Sequence, residues 1–142
     1  MARTRPRVHA ALALFLLTAC AGTSFEVPAN VSIGGRPPAL GTSADADFAA
    51  PPQIAHIWLS DQTLRRGGVW SGAVMASNNV ASVEIRTDSF SFSVPRRRPG
   101  DFEFRYDIPD LPPYLQRSFV LHVIARNAAG LAQDEAIPIE IR

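Results

Sequence analysis

The chain contains one thiol, and the position of that thiol limits the chemistry that it can perform. Cys20 is the single cysteine among 142 residues, so it has no partner for a disulfide within its own chain. A lone cysteine in an exported protein is buried, paired with another molecule or covalently modified. The residues that precede Cys20 favour modification.

The segment before Cys20 has the pattern of an export signal. Three arginines fall within the first seven residues, and an uncharged apolar run from Ala10 to Leu17 follows them. That run is much shorter than the roughly 20 apolar residues that a membrane-spanning helix needs. A basic start, a short apolar run and small residues at a cleavage point are typical of secretory signal peptides. We therefore predict that residues 1–19 form a signal peptide.

The residues Leu17, Thr18, Ala19 and Cys20 resemble the lipobox of bacterial lipoproteins. That family pattern has an aliphatic residue, a small or hydroxylated residue, then Ala, Gly or Ser, and finally Cys. The resemblance implies cleavage before Cys20, diacylglycerol on its sulfur and acylation of the new amino terminus. Two or more acyl chains anchor a protein stably, whereas one holds it only marginally. An ordinary secretory signal with an incidental cysteine and an uncleaved anchor are the alternatives.

For catalysis, the mature chain offers two histidines, His56 and His122. A Ser-His-Asp site needs a histidine between a nucleophile and an acid, and a Gly-x-Ser-x-Gly turn often presents such a serine. The sequence has no such turn. We therefore predict no catalytic residue and no enzyme activity, with His122 facing solvent or a neighbouring strand.

Patterns that bind metals are also missing from the sequence. It has no His-x-x-x-His, no cysteine pair and no EF-hand loop. Asp45 and Asp47 could offer two carboxylates to calcium, with Asp61, Asn78 and Asn79 as further oxygen donors. Calcium takes about 6 to 8 oxygen ligands, so two carboxylates in a flexible segment make a poor cage. We predict no metal site and no cofactor.

The most uneven cluster of charge is Arg96, Arg97 and Arg98, in a stretch flanked by prolines that we predict to be a turn. Guanidinium groups bind phosphates and carboxylates through two hydrogen bonds at once. Contact of these three residues with an anionic partner is therefore one hypothesis. A solvated turn that protects a sheet edge is the alternative.

Short strands must position these residues. Alternating apolar and polar residues are typical of half-buried strands, and turns rich in Gly, Asn and Pro separate them. Seven such strands in about 90 residues predict an antiparallel sandwich. Pro138 places the last strand at an edge or beside a bulge. The predicted strands are residues 54–60, 69–77, 81–87, 90–94, 102–108, 118–126 and 135–141.

Aromatic residues on these strands could stack against sugars or pack in the core. Five of them alternate with polar residues, which favours the core. We also predict that Trp70 fills the centre of the core. The five alternating aromatic residues are Phe90, Phe92, Phe102, Phe104 and Tyr106.

Two stretches resemble bacterial immunoglobulin-like domains. Residues 70–86 run from a Gly-x-Val strand through an Asn turn into a Val-x-Ile strand. Farther along, Ala125, Asn127 and Gly130 fit the Ala-x-(Asp/Asn)-x-x-Gly end of a penultimate strand. The resemblance implies a seven-stranded antiparallel immunoglobulin-like β-sandwich over residues 52–142, without the antibody disulfide. It says little about function, because such sandwiches host many roles.

Residues 20–51 connect the signal to the strands and are rich in Ala, Gly, Pro, Ser and Thr. This composition buries too little apolar surface to offset the entropy cost of ordering. We predict a lipidated N-terminus and a flexible linker that spans roughly 30 Å. The alternative is that part of it packs as an extra strand. The apolar residues that would allow this are Phe25, Val27, Val31 and Ile33.

The charge of the mature chain argues against nucleic acid as a partner. Cleavage before Cys20 would leave 11 basic and 13 acidic residues, a charge of −2, so no strongly basic surface is expected. Ala21 stands where lipoproteins retained at the inner membrane often have Asp, which implies the outer membrane if the cell has one.

The function expected from these features is a non-catalytic, lipid-anchored cell-envelope protein that presents its domain to a protein or polysaccharide partner. One alternative is a glycan-binding accessory module of a carbohydrate-active or transport system. Another is an enzyme with an unrecognised site.

Overall fold

Ten strands form in the part of the chain that the computed structural model describes, residues 26–39 and 41–142. The only helical turn within those residues is the 3-10 helix Pro113–Leu115. The prediction of an all-β fold is therefore confirmed. The strands are β1 (Val31–Ile33), β2 (Ile54–Leu59), β3 (Thr63–Leu64), β4 (Val69–Ala76), β5 (Val80–Arg86), β6 (Ser91–Val94), β7 (Arg96–Arg98), β8 (Asp101–Asp107), β9 (Ser118–Asn127) and β10 (Ala132–Ile141).

The strands form two sheets of five strands each. The first sheet has the order β1-β2-β4-β8-β7, and the second has the order β3-β10-β9-β5-β6. Both sheets are mixed, because β1 runs parallel to β2 and β3 runs parallel to β10. The other neighbouring strands are antiparallel.

The seven predicted strands are all present, as β2, β4, β5, β6, β8, β9 and β10. The count of seven is nevertheless too low, because β1, β3 and β7 add to it. These three strands have 3, 2 and 3 residues, which is too short for alternation to be visible in the sequence. All three lie at sheet edges.

Pro138 lies within β10 at a position where no neighbouring strand requires a backbone N–H donor. The ladder between β10 and β9 is continuous through the pair Pro138–Val120, so no bulge forms there. On its other side β10 pairs with β3 only at Glu140 and Ile141. Pro138 therefore stands at a locally open edge, where the missing N–H costs no hydrogen bond.

Side chains from both sheets form one hydrophobic core. The first sheet contributes Ile57, Trp70 and Phe102, and the second contributes Leu121 and Ile137, each no more than 1% exposed. The prediction that Trp70 fills the core is confirmed. Its indole Nε1 donates to the carbonyl of Asp61 at 3.1 Å, so the one polar atom of the ring is also satisfied.

The predicted aromatic stripe spans the open side between β6 and β8. The prediction that all five rings lie in the core is only partly right, because Phe102 and Phe104 are buried whereas Phe90, Phe92 and Tyr106 are half-buried. Phe92 from the second sheet meets Phe104 edge to face, with centroids 5.4 Å apart, and stacks on Tyr106 at 5.0 Å. Gly72 leaves room for the Phe104 ring, since a Cβ there would overlap it. The ring faces are therefore used within the protein.

The part of the predicted linker that the structure describes is hydrogen-bonded to the first sheet. Val31–Ile33 forms β1, as the extra-strand alternative proposed. Ile57 N–H donates to the Asn30 carbonyl at 2.9 Å, and Gly34 N–H donates to the Leu59 carbonyl at 2.8 Å. The chain thus first runs alongside β2 as β1. It then returns to the position of Ile54, where β2 begins.

The loops gather at two opposite ends of the molecule. At one end β2 begins beside the last residue of β4, and at the other end β2 finishes beside the start of β4. We call the first the asparagine end and the second the arginine end. The asparagine end comprises residues 44–50, 77–79 and 127–131, and the arginine end comprises residues 60–68, 108–117 and 142.

Candidate functional site

The predicted lipidation site lies outside the described residues. Cys20 and the lipobox residues Leu17, Thr18 and Ala19 all precede residue 26. Lipidation therefore stays a prediction. Over residues 26–39 and 41–142, no helix is long and apolar enough to cross a membrane.

The arginine cluster occupies a strand, so the prediction of a turn there is wrong. Arg96–Arg98 forms β7 at the edge of the first sheet, and the turn comes after it at Pro99 and Gly100. Three identical side chains show no alternation, which is why no strand could be predicted there. The pairing with β8 is irregular between Arg96 and Arg98.

Two of these arginines already have carboxylate partners within the chain. Arg97 Nε lies 3.4 Å from Glu103 Oε2, and Arg98 Nε binds Asp101 Oδ2. The Asp101 side chain is only 2% exposed, and its Oδ1 atom has no hydrogen-bond partner. Arg98 therefore neutralises a buried carboxylate, which makes it a structural residue and weakens the hypothesis of an anionic partner at Arg96–Arg98.

The two histidines bind different partners in different sheets. His56 Nε2 lies 2.8 Å from Ser32 Oγ, between β2 and β1 of the first sheet. His122 Nδ1 lies 2.9 Å from Asp134 Oδ2, between β9 and β10 of the second sheet. The prediction that His122 faces solvent or a neighbouring strand is confirmed, since its side chain is 41% exposed and contacts β10. A Ser-His-Asp site requires a hydroxyl and a carboxylate at the same imidazole. In the described structure His56 contacts a hydroxyl and His122 contacts a carboxylate, so the two groups are at different histidines.

Three of the oxygen donors considered for calcium, namely Asp45, Asn78 and Asn79, make hydrogen bonds within the fold. Asn78 Nδ2 donates to Asp45 Oδ1 at 2.8 Å, and Ala46 N–H donates to Asn78 Oδ1 at 2.9 Å. Asn79 Nδ2 donates to two backbone carbonyls of residues 47–50. Among the described residues, no group of three His, Cys, Asp or Glu side chains could hold a metal ion.

Side-chain amides fasten the loop of residues 44–50 to the asparagine end. Asn127 is 5% exposed, and its Nδ2 donates to the Ala50 carbonyl at 2.8 Å. Its Oδ1 accepts from Leu131 N–H at 2.8 Å. Asn79 Nδ2 also donates to the Ala50 carbonyl, at 2.8 Å. The sequence indicated turns at these asparagines but contained no sign of their distant partners.

Two large apolar side chains project from this same end. Phe48 is 68% exposed and Leu131 is 43% exposed. Their backbones both bind the Asn127 amide, through the Phe48 carbonyl at 3.4 Å and the Leu131 N–H at 2.8 Å. The asparagine end therefore presents apolar groups on a fixed frame.

The arginine end carries a charged cleft of about 690 Å³ that sequence reasoning missed. Three guanidinium groups line it, and Asp61 and Asp110 provide the acidic side chains. Arg66 Nη1 lies 3.7 Å from Asp110 Oδ1, and both side chains reach solvent. The three arginines are Arg65, Arg66 and Arg142.

Backbone hydrogen bonds hold the frame of this cleft. Arg66 N–H donates to the Arg142 carbonyl at 3.2 Å, and Arg142 N–H donates to the Leu64 carbonyl at 2.9 Å. A hydrogen bond to Glu140 raises the pKa of Arg142, aided by the attraction between the two charges. Arg65 and Arg142 lie far apart in sequence, so composition alone could not group them.

Comparison with known proteins does not assign a function to these features. No protein-family model matches this chain, and no curated protein sequence is similar to it. The argument for function therefore depends on the geometry and on the patterns in the sequence.

Proposed function

We propose that this chain is a lipid-anchored, non-catalytic cell-envelope protein whose immunoglobulin-like β-sandwich binds an acidic protein or polysaccharide partner. The anchor is Cys20, and the binding site is the cleft that Arg65, Arg66 and Arg142 line at the arginine end. The observation that carries the binding site is that these three arginines line one solvent-open cleft on a backbone-held frame, where the ion pairs of Arg66 and Arg142 are exposed.

The strand pairing supports the immunoglobulin-like part of the proposal. The first, second and fifth of the seven long strands (β2, β4 and β8) share one sheet. The third, sixth and seventh (β5, β9 and β10) share the other. Immunoglobulin domains divide their strands in this way. The fourth strand, β6, joins the second sheet, whereas the constant-type domain has it in the first.

The charges of the cleft favour carboxylate or phosphate groups as the ligand. Guanidinium groups bind such groups through paired hydrogen bonds. The acidic side chains Asp61 and Asp110 line the same cleft, so they would disfavour a ligand with a dense block of negative charge. Isolated carboxylates on a protein loop or a uronic-acid polymer fit this arrangement.

A matched pair of triple variants tests the binding site. The first replaces Arg65, Arg66 and Arg142 with Ser, and the second replaces Arg96, Arg97 and Arg98 with Ser. We expect the first variant to lose binding to acidic envelope components or a uronic-acid polymer, because it removes the guanidinium groups of the cleft. Binding by wild type should weaken with salt, since exposed ion pairs are screened. Equal binding by wild type and the cleft variant at low salt would rule out this site.

A labelling experiment tests the anchor separately. Cells that express the wild-type chain should incorporate palmitate into it, and the Cys20→Ala variant should carry no label, because Cys20 is the single cysteine. Label on the variant, or its absence from wild type, would contradict the lipoprotein proposal.

A further inference from the structure

The exposed apolar pair at the asparagine end has an unusual setting. Phe48 is 68% exposed and Leu131 is 43% exposed, and small apolar residues beside them are exposed as well, namely Ala49, Ala128 and Ala129. Exposed apolar groups that cluster are typical of interaction surfaces, whereas single ones need no explanation. This cluster, residues 48–49 and 128–131, we call the apolar tip.

The apolar tip is held in place rather than carried on a loose loop. Asn79 Nδ2 donates to the carbonyls of Asp47 at 2.9 Å and Ala50 at 2.8 Å, on either side of Phe48. Asn127 joins the two halves of the tip, because it binds both Ala50 and Leu131. A fixed apolar tip loses little conformational entropy when it meets an apolar phase.

The chain enters the described structure at the same end of the molecule. Asn30 precedes β1, and its Nδ2 donates to the carbonyl of Ile54, the first residue of β2, at 3.3 Å. Cys20 lies six residues before Glu26. Because an extended chain covers at most about 3.6 Å per residue, the sulfur of Cys20 lies within roughly 20 Å of Glu26. The chain therefore enters β1 from the side of the asparagine end, and a short segment connects this entry to Cys20.

We propose that the apolar tip faces the lipid surface that holds Cys20, with Phe48 and Leu131 inserted among the headgroups. This orientation rests on the proposed lipidation of Cys20. The tip then adds a second contact to the acyl anchor, and the cleft at the arginine end points away from the membrane. Asp45 and Asp47 lie in the same loop as Phe48, so the tip favours zwitterionic over anionic lipid.

Site-specific coupling tests this orientation on the mature chain from Cys20. The single thiol is reacted with maleimide-headgroup lipid in phosphatidylcholine vesicles that also contain nitroxide-labelled phosphatidylcholine. Phe48→Trp places a fluorescent indole at the tip. Tyr114→Trp is the matched control, because Tyr114 is 77% exposed and lies in the 3-10 helix at the opposite end. The coupled wild type gives the background emission of Trp58 and Trp70, and the added emission of each variant is what remains after this background is subtracted.

The expected result is selective quenching at the tip. The added emission of Phe48→Trp should fall about threefold or more with nitroxides near the headgroups, since interfacial side chains reach roughly 5–10 Å into the bilayer. The added emission of Tyr114→Trp should remain within about 20% of its value without nitroxide, because that end is turned away from the lipid. Exchanging part of the phosphatidylcholine for phosphatidylglycerol should reduce the quenching of Phe48→Trp.

Leu131→Trp repeats the measurement at the second apolar residue, so the result does not depend on one variant. Equal quenching at the two ends, or no quenching at either residue of the tip, would overturn the orientation. The emission of Phe48→Trp could instead shift to shorter wavelength when envelope protein is added and remain unquenched by labelled lipid. That result would contradict the membrane orientation and indicate that the tip binds protein. Chemical coupling makes this test independent of lipidation in the cell, which palmitate labelling decides separately.

Discussion

The two ends of this molecule are held together by different groups. At the asparagine end, side-chain amides of Asn78, Asn79 and Asn127 bind backbone atoms of residues 44–50. At the arginine end, the turn is held by backbone pairs, such as Gly67 N–H to the Ile108 carbonyl at 3.0 Å. The polar side chains of the first end are therefore used in folding, whereas the guanidinium groups of Arg66 and Arg142 at the second end form ion pairs that reach solvent.

This difference separates polar residues that stabilise the fold from the exposed arginines that we propose as binding residues. A buried amide with several partners is costly to replace, because its partners lose their hydrogen bonds inside the protein. An exposed guanidinium on a backbone-held turn is cheap to replace, because water takes its place. Stability measurements should therefore rank the residues of the two ends in opposite order to binding measurements.

The largest loss of stability is expected at Trp70, whose indole Nε1 donates to the Asp61 carbonyl at the arginine end. Trp70→Ala removes a ring that is 1% exposed and should lower the free energy of unfolding by about 3–5 kcal/mol. Chemical denaturation of the mature chain measures the loss. Trp70→Phe keeps most of the volume and should cost less. An unchanged midpoint for Trp70→Ala would contradict the burial of this ring.

Asn127→Ala should have the next largest effect and should act on the asparagine end alone. It removes a bond to the Ala50 carbonyl and one from Leu131 N–H, and we expect a loss of about 2–3 kcal/mol. Hydrogen exchange should accelerate at Leu131 but not at Arg142 N–H, which lies at the opposite end. Uniform acceleration at both ends would show that the two ends are not separate.

Arg98→Ser should cost about 1–3 kcal/mol, because the buried Asp101 carboxylate then loses its guanidinium partner. Arg97→Ser is the matched control on the same strand, since its partner Glu103 is 38% exposed; it should stay within about 0.5 kcal/mol of wild type. Denaturation curves of the two single variants decide the point. Equal losses would indicate that Arg98 is an ordinary surface residue.

A small effect on stability is expected for the joint replacement of Arg65, Arg66 and Arg142 by Ser. Exposed ion pairs contribute little, so the free energy of unfolding should fall by less than about 1 kcal/mol. The same variant should show the loss of binding described above. A large loss of stability with binding unchanged would reverse the assignment of the two ends.

The sequence predicts the long strands and the core well because both follow from local alternation. The alternation of apolar residues in β5 locates the buried side of that strand at Val83 and Ile85, and Trp70 is buried as expected. The short edge strands are different, since β3 has only Thr63 and Leu64. Their pairing depends on neighbours that lie elsewhere in the chain, which no local pattern records.

The contacts that build the two ends of the molecule also could not be predicted from the sequence, for a related reason. Asn127 and its acceptor Ala50 are 77 positions apart, and the cleft joins Arg65 to Arg142 across the parallel pairing of β3 with β10. These neighbours are fixed by topology rather than by spacing. The sequence instead drew attention to Arg96–Arg98, where local charge density is highest but the carboxylates of Asp101 and Glu103 occupy two of the three side chains.

The parallel pairing of β1 with β2 has a mechanical consequence. A tether at the asparagine end and a load at the arginine end would pull β1 along its own axis. Hydrogen bonds lie across the strands, so such tension shears the bonds around Asn30 and Gly34 together instead of peeling them one by one. Resistance to forced unfolding is set by the rate of rupture. If the proposed anchor holds the chain at Cys20, this three-residue strand is the part of the fold through which force would pass into the core.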